Sequence, residues 1–242
     1  MNLFDSWLVN QTIAHRGLHG KKAPENSLAS FEKAIEKGYA IELDVQMLAD
    51  GTPAVFHDEQ LKRMTNQDGY ICHIKKEDLP SYKLLKTDQT IPTLEQVLAL
   101  VAGRTPLLIE IKNTGKVGEL ESNVLKVLKD YTGEYAIQSF NPFTLNYFYT
   151  NAPEILRGQL SGSFHDSDLS RLKKHFLRRM VFNKKVSKPN FISYEAEMLP
   201  NRFVRKYKSL PLLAWCVKSQ EEYLRVVKYC DNIIFENFEP KI

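Results

Sequence analysis

Four short stretches of this 242-residue sequence place titratable side chains at spacings that can do chemistry: His15-Arg16-Gly17, Glu42-Leu43-Asp44, His57-Asp58 and Glu110-Ile111-Lys112. Glu42 and Asp44 lie two apart in an apolar run, so in a strand they share a face while Ile41, Leu43 and Val45 share the other. Two like charges side by side in an interior cost roughly several kcal/mol unless a cation, protons or basic partners intervene. A hard divalent ion fits that demand. Glu110 and Lys112 repeat the device, opposite Ile109 and Ile111; Glu110 can complete an oxygen cage for Mg²⁺ or Ca²⁺, and Lys112 stands where an anion would be held. Taken alone, Glu110 and Lys112 would be an internal ion pair, and a lone histidine is usually a structural group, so His19, His73, His165 and His175 receive no role. The conjunction says more. A phosphodiester requires charge neutralisation on its nonbridging oxygens, a base for the attacking hydroxyl and an acid for the leaving oxygen. The metal, Arg16 and Lys112 supply the first, and His15 and His57 the other two, with Asp58 able to orient the His57 ring.

Such groups must be delivered by a scaffold, and the sequence alternates β-branched apolar runs with segments of helical period, the sign of βαβ units around a parallel sheet. Strands are expected at 12–14, 40–45, 107–111, 135–138, 155–159, 191–194, 212–216 and 232–235. Helices are expected at 27–37, 94–101, 117–131, 142–151, 167–180, 201–207 and 220–229; the first buries Leu28, Phe31, Ala34 and Ile35 on one stripe and stops at Gly38. Eight strands in a chain of this length fit one (β/α)8 barrel domain, residues 1–242, better than an open doubly wound sheet. His15, Arg16 and His57 would leave strands at the carboxyl end, where barrels build their sites, and Gly17 allows a tight exit. From about residue 58 to 90 the helical rhythm lapses into polar turns, which reads as a small insertion after the second strand, on the same side.

Composition narrows the classes. A net charge of +4 and no recognition motif argue against a nucleic-acid binder. No apolar run is long enough to span a bilayer, and the opening residues lack the pattern of a secretory signal. Cys72, Cys216 and Cys230 are widely spaced, which suggests neither a disulfide framework nor a zinc-thiolate site. A cytoplasmic protein is expected. Leu169–Lys188 is dense in lysine and arginine; it reads as a solvated helix and loop, or as a peripheral contact with anionic lipid for which Phe176, Leu177, Met180 and Val181 supply the apolar face.

The ordered string His15-Arg16-Gly17, Pro24-Glu25-Asn26-Ser27, Glu42-x-Asp44-Val45, Asp50-Gly51 and His57-Asp58 resembles the glycerophosphodiester phosphodiesterase family. The resemblance continues through Leu61, Arg63 and Thr65, Pro92-Thr93-Leu94, Glu110-x-Lys112, Gln138-Ser139-Phe140, Trp215 and Asn232-Ile233-Ile234, covers nearly the whole chain, and is most specific in residues 13–58 and 107–112. It implies a (β/α)8 barrel that cleaves glycerophosphodiesters to glycerol 3-phosphate and an alcohol with one Ca²⁺ or Mg²⁺. His15 and His57 would be the acid/base pair, Glu42, Asp44 and Glu110 the metal ligands, and Arg16 and Lys112 the phosphate contacts. Pro24-Glu25-Asn26-Ser27 reads as a helix start with Asn and Ser as caps, Glu25 and Asn26 bracing the loop. Trp215, at a strand end, serves either the core or, by analogy, as a wall for a glycerol group.

The sequence departs from the family pattern at Leu48-Ala49, taken as a solvent-loop change, and at Trp215-Cys216-Val217-Lys218 and Phe235-Glu236-Asn237, which bear on glycerol-side or leaving-alcohol specificity. It ends soon after the eighth strand, and residues 1–10 are the candidate to take the place of the last helix. Two other readings compete with a hydrolase of small glycerophosphodiesters: lysophospholipase D action at a membrane surface, and a barrel that binds a phosphodiester without turning it over. Retention of both histidines and all three acids speaks against the latter.

Overall fold

The β-branched runs form strands close to their expected places in the computed structural model, which describes residues 2–113, 115–164 and 170–241. They are β1 (Ile13–Ala14), β2 (Ala40–Met47), β3 (Pro53–Val55), β4 (Leu107–Ile111), β5 (Tyr135–Ser139), β6 (Leu156–Ser161), β7 (Phe191–Glu195), β8 (Leu212–Val217) and β9 (Asn232–Phe235). All but β3 belong to the parallel set, and helices or short helical turns connect them, which is the (β/α)8 class. No helix among the described residues is long and apolar enough to cross a membrane. The chain divides into two contact units, Ala14–Tyr135 and Met1–Ile13 with Ala136–Ile242.

Within Ala14–Tyr135, β2 pairs in parallel with β4 so that Asp44 faces Glu110 in register. β3, absent from the expected strands, pairs antiparallel with β2 through Val45–Val55, Gln46–Ala54 and Met47–Pro53. Asp50-Gly51 makes that hairpin: Gly51 takes φ +83°, and Asp50 Oδ1 accepts the Thr52 N–H at 3.0 Å. The insertion follows β3. It contains one α-turn (Lys62–Thr65) and two 3-10 segments (Ile71–His73 and Lys76–Ser81), and it has its own apolar core of Phe56, Leu61, Met64, Ile71, Ile74, Leu79, Leu84 and Ile91. Leu48 is part of that core and 1% exposed, so its position is not the solvent-loop change expected; the hairpin turns it inward onto Ala54 and Phe56, while Ala49 is exposed.

Helix Leu28–Glu36 starts at Ser27, not Asn26: the Ser27 hydroxyl accepts the Ser30 N–H at 3.2 Å and the Ser30 hydroxyl accepts the Ser27 N–H at 3.3 Å. Its end is set by Gly38 at φ +74°, as expected. Thr93 and Gln96 form the same reciprocal cap at the start of helix Leu94–Val101.

In the other unit β5, β6, β7, β8 and β9 pair in sequence order, all parallel. Helix Trp7–Asn10 packs against β9, where the Asn232 amide donates to Leu8 O and Gln11 O at 2.8 Å each. The helix expected at 201–207 is only a 3-10 turn, Val204–Tyr207; before it the Asn201 side chain accepts the Phe203 N–H at 2.8 Å and donates to Tyr194 Oη at 3.2 Å. Of the helix expected at 167–180, Arg171–Arg178 is helical; residues 167–169 and His165 lie outside the described residues, as does the Leu169 end of the basic stretch.

Candidate active site

The alternation of β2 delivers three polar residues to one face, Glu42, Asp44 and Gln46, and β4 delivers Glu110 beside them. Ligand oxygens of Glu42, Asp44 and Glu110 all lie within 4.8 Å of one another, and the three residues are buried. Lys112 Nζ stands 3.3 Å from Glu110 Oε1 and 3.6 Å from Asp44 Oδ1. Burial, and then the Asp44 and Glu110 charges, push the Glu42 carboxyl well above the ordinary glutamate range. Glu110 also rises, from burial, against the pull of Lys112 and with a further push from Asp44. Burial alone would raise Asp44, but the charges of His57, Lys112, Arg16 and His15 hold it well below the usual range. Asp44 Oδ1 is buried and accepts no hydrogen bond. Three hard oxygen donors, one with an unused lone-pair position and two destabilised as anions, fit a divalent cation such as Ca²⁺ or Mg²⁺.

Asp44 is oriented by a residue that had been read only as a helix cap and loop brace. Asn26, buried and at φ +55°, donates from its amide to Asp44 Oδ2 at 2.9 Å and accepts the Asp44 N–H at 3.3 Å. The exit from β1 is equally constrained. Arg16 has φ +55° and Gly17 φ +79°; a Cβ on Gly17 would come within 2.5 Å of Ser30 Oγ and 2.9 Å of the Phe31 ring. This turn aims the Arg16 N–H at Glu42 Oε2, 3.1 Å away, and leaves His15 Nε2 3.9 Å from the same oxygen. The Arg16 side chain donates to Glu25 Oε1 at 2.7 Å, and its Nε lies 3.2 Å from Asp44 Oδ2 without hydrogen-bond alignment.

His57 leaves the end of β3, and its Nδ1 is 2.7 Å from Asp58 Oδ1. Its ring is close enough for its charge to act on Asp44 and Glu110. Gln46 fixes this loop by donating to the carbonyls of Phe56, His57 and Asp58 at 3.0, 2.9 and 2.8 Å. That role had a signal in the sequence, since Gln46 continues the two-residue period of Glu42 and Asp44. Arg63 of the insertion reaches Asp58 and Glu25 together.

Seven of the eight expected site residues, His15, Arg16, Glu42, Asp44, His57, Glu110 and Lys112, thus lie in the one unit Ala14–Tyr135. Trp215 lies in the other, on β8, edge-on to Phe140 at 5.4 Å between ring centroids; Phe140 packs in the same way on Phe164 at 5.5 Å. Trp215 is partly exposed and its Nε1 is buried without a hydrogen-bond partner.

The sequence matches the Glycerophosphoryl diester phosphodiesterase family over residues 15–238. A glycerophosphodiester phosphodiesterase of Caldanaerobacter subterraneus subsp. tengcongensis is 37% identical over 243 residues, 95% of each chain. Among solved structures, an Oleispira antarctica phosphodiesterase in complex with the product sn-glycerol-3-phosphate superposes with a TM-score of 0.76 at 25% identity, covering 95% of this chain and 93% of that one. A glycerophosphodiester phosphodiesterase of Thermotoga maritima gives a TM-score of 0.72 at 25% identity, covering 93% and 94%.

Proposed function

Because the chain belongs to the glycerophosphoryl diester phosphodiesterase family, we propose that it hydrolyses glycerophosphodiesters to glycerol 3-phosphate and an alcohol with His15 and His57 as the acid/base pair. The observation that carries this is the convergence of Glu42, Asp44 and Glu110 within 4.8 Å, beside Lys112 and Arg16. The product bound to the Oleispira antarctica relative supports glycerol 3-phosphate as the product. Glu42, Asp44 and Glu110 would hold one divalent cation, Ca²⁺ or Mg²⁺, which when bound supplies charge neutralisation and polarises a nonbridging phosphate oxygen. Lys112 and Arg16 contact the phosphate anion. One histidine takes the proton of the attacking oxygen as its bond to phosphorus forms, and the other delivers a proton to the leaving oxygen as the P–O bond breaks. The Asp58 carboxylate on Nδ1 fixes the ring of His57 for that exchange. A cytoplasmic setting, in which the thiols of Cys72, Cys216 and Cys230 stay reduced, belongs to the same reading.

The test is release of glycerol 3-phosphate from glycerophosphocholine by the purified protein, with a chelator control and with His15→Ala and His57→Ala. Release that the chelator and either substitution abolish is expected. Absence of release from folded protein with added Ca²⁺ or Mg²⁺ defeats the reading for this substrate, and turns attention to lysophospholipids and then to a barrel that binds without turnover.

A second reading is favoured by the basic segment. Leu172, Phe176 and Val181 are 66%, 39% and 51% exposed, and neighbouring Arg171, Arg178, Arg179, Lys185 and Lys188 make no ion pair with a carboxylate among the described residues. Apolar side chains among uncompensated cations suit an anionic bilayer, where a lysophospholipid would be the substrate. Cosedimentation with phosphatidylglycerol vesicles that falls with salt, and is absent with phosphatidylcholine, is the outcome this reading requires; no binding to either leaves water-soluble diesters as the substrates.

A further inference from the structure

We propose that Arg63, carried by the insertion, is a positioning residue that fixes the His57 imidazole and the Arg16 guanidinium at once, through Asp58 and Glu25; the role rests on the hydrolase reading above. The Arg63 guanidinium donates from Nε to Asp58 Oδ2 at 2.6 Å and from Nη2 to Asp58 Oδ1 at 2.9 Å. On its other edge Nη1 donates to Glu25 Oε2 at 2.8 Å and Nη2 to Glu25 Oε1 at 2.7 Å. Both carboxylates are therefore held in the fork geometry that only a planar guanidinium provides. Each of them also holds a group of the site: Asp58 Oδ1 meets His57 Nδ1 at 2.7 Å, and Glu25 Oε1 accepts from Arg16 Nη1 at 2.7 Å.

The order of contacts is continuous: His57, Asp58, Arg63, Glu25, Arg16, Asp44. With both Asp58 oxygens occupied by Arg63, the carboxylate cannot rotate, and its Oδ1 keeps the proton of His57 on Nδ1 and the lone pair or acid proton on Nε2. With both Glu25 oxygens occupied, Arg16 stays between Glu25 and Asp44 and is not drawn out to solvent. The charges of Arg63 and Arg16 hold Glu25 below the ordinary glutamate range against burial, so it is an anion whenever the site is working. Arg63 itself is 47% exposed, so its ion pairs contribute modestly to stability, and their value lies in orientation. The insertion makes that orientation possible. Arg63 rides on the turn Lys62–Thr65, whose Met64 and Thr65 are buried, and the Thr65 hydroxyl donates to Leu61 O at 2.9 Å.

The experiment uses Arg63→Ala and Arg63→Lys with two readouts. The ¹⁵N spectrum of the histidine rings, assigned with His57→Ala, should show His57 as the Nδ1–H tautomer in the wild type and as a tautomer mixture in Arg63→Ala. With glycerophosphocholine, kcat per folded molecule should fall on the order of 10²-fold in Arg63→Ala, as for a small misplacement of reacting groups. Guanidinium ion at sub-denaturing concentration should restore part of it, and Arg63→Lys should not approach the wild type. An unchanged His57 tautomer overturns the proposal, as does a kcat within about twofold of wild type, or a loss of activity that guanidinium cannot rescue. A wild-type protein that does not hydrolyse glycerophosphocholine would instead remove that diester as the substrate, while the ring spectra still decide what Arg63 does to His57.

Discussion

At the scale of single residues, two amides hold the groups proposed to react: Asn26 meets both the carboxylate and the N–H of Asp44, and Gln46 ties down three carbonyls of the His57 loop. Charged residues in apolar strands carry a visible penalty, which is why Glu42, Asp44, Glu110 and Lys112 stand out in the sequence; an amide such as Asn26 or Gln46 carries none, and its partners are visible only in three dimensions. Asn26 also sits next to a good cap, so the local rule for helix starts hid its contact with Asp44, eighteen residues away. Asn26→Ala should remove a buried hydrogen bond to a carboxylate and one to the Asp44 N–H, lowering stability by about 1–3 kcal/mol. It should also weaken cation affinity by about 10- to 100-fold, as loss of a group orienting a ligand does. Urea unfolding and calorimetric Ca²⁺ titration measure the two, and an unaltered cation affinity would show that Asn26 serves the fold alone. Gln46→Leu keeps the volume but leaves the carbonyls of Phe56, His57 and Asp58 without that donor. Its expected signature is a kcat loss of about tenfold or more with a small change in Tm, because the His57 loop loosens while the strand remains; an unchanged kcat would rule this out.

At the scale of elements, periodicity located nearly every strand and most helices because burial enforces it: helix Leu28–Glu36 has a caps-and-stripe signature, and β2 and β4 are apolar runs interrupted only by site residues. β3 was missed as a strand because three residues are too few to show a period, although Asp50-Gly51 marked the turn before it. The insertion was legible only as a lapse in rhythm. Its apolar residues are irregularly spaced, since the segment is built from single turns whose core closes on Leu48, Ala54 and Phe56 of the hairpin. That core presents Arg63, so packing in the insertion should be felt in the site. Leu61 is fully buried, and Leu61→Ala should cost about 2–5 kcal/mol. Limited proteolysis should then cut first within residues 58–90, and activity should fall at temperatures where the far-ultraviolet circular dichroism is still native. Loss of both signals together would mean that the insertion has no separate stability to lose. Gly17→Ala should be as damaging for a different reason, left-handed backbone and a 2.5 Å approach to Ser30 Oγ together.

At the scale of the whole molecule, the buried carboxylates tie stability to pH and to cations. Glu42 and Glu110 have folded-state pKa values raised above the ordinary 4.5, from burial first and neighbouring carboxylates after it. Just above that pH the folded chain therefore binds more protons than the unfolded one, so their contribution is complete below about 4.5 and is lost as pH rises through the raised values. Asp44, Asp58 and Glu25 are depressed, despite burial, by the cations around them. Their contribution is complete above the ordinary 3.8 of an aspartate or 4.5 of a glutamate, and it is lost only as pH falls through the depressed values. The two sets act in separate windows, so above about pH 4.5 and up through the raised values the first set governs the carboxylate part of the slope. In chelator, Tm should fall as pH rises across that window. A divalent cation binds the deprotonated carboxylates, so the Tm increment from a fixed excess of Ca²⁺ should grow with pH, reaching about 2.7 kcal/mol of added stability at a hundredfold excess over the dissociation constant. Scanning calorimetry of the wild type and Glu110→Gln, with chelator and with Ca²⁺, measures both quantities. Glu110→Gln should flatten the chelator slope and lose most of the Ca²⁺ increment. An increment that is the same at every pH, or that survives the substitution, would place the cation away from Glu42, Asp44 and Glu110 and leave those carboxylates to be neutralised by Lys112, Arg16 and protons alone.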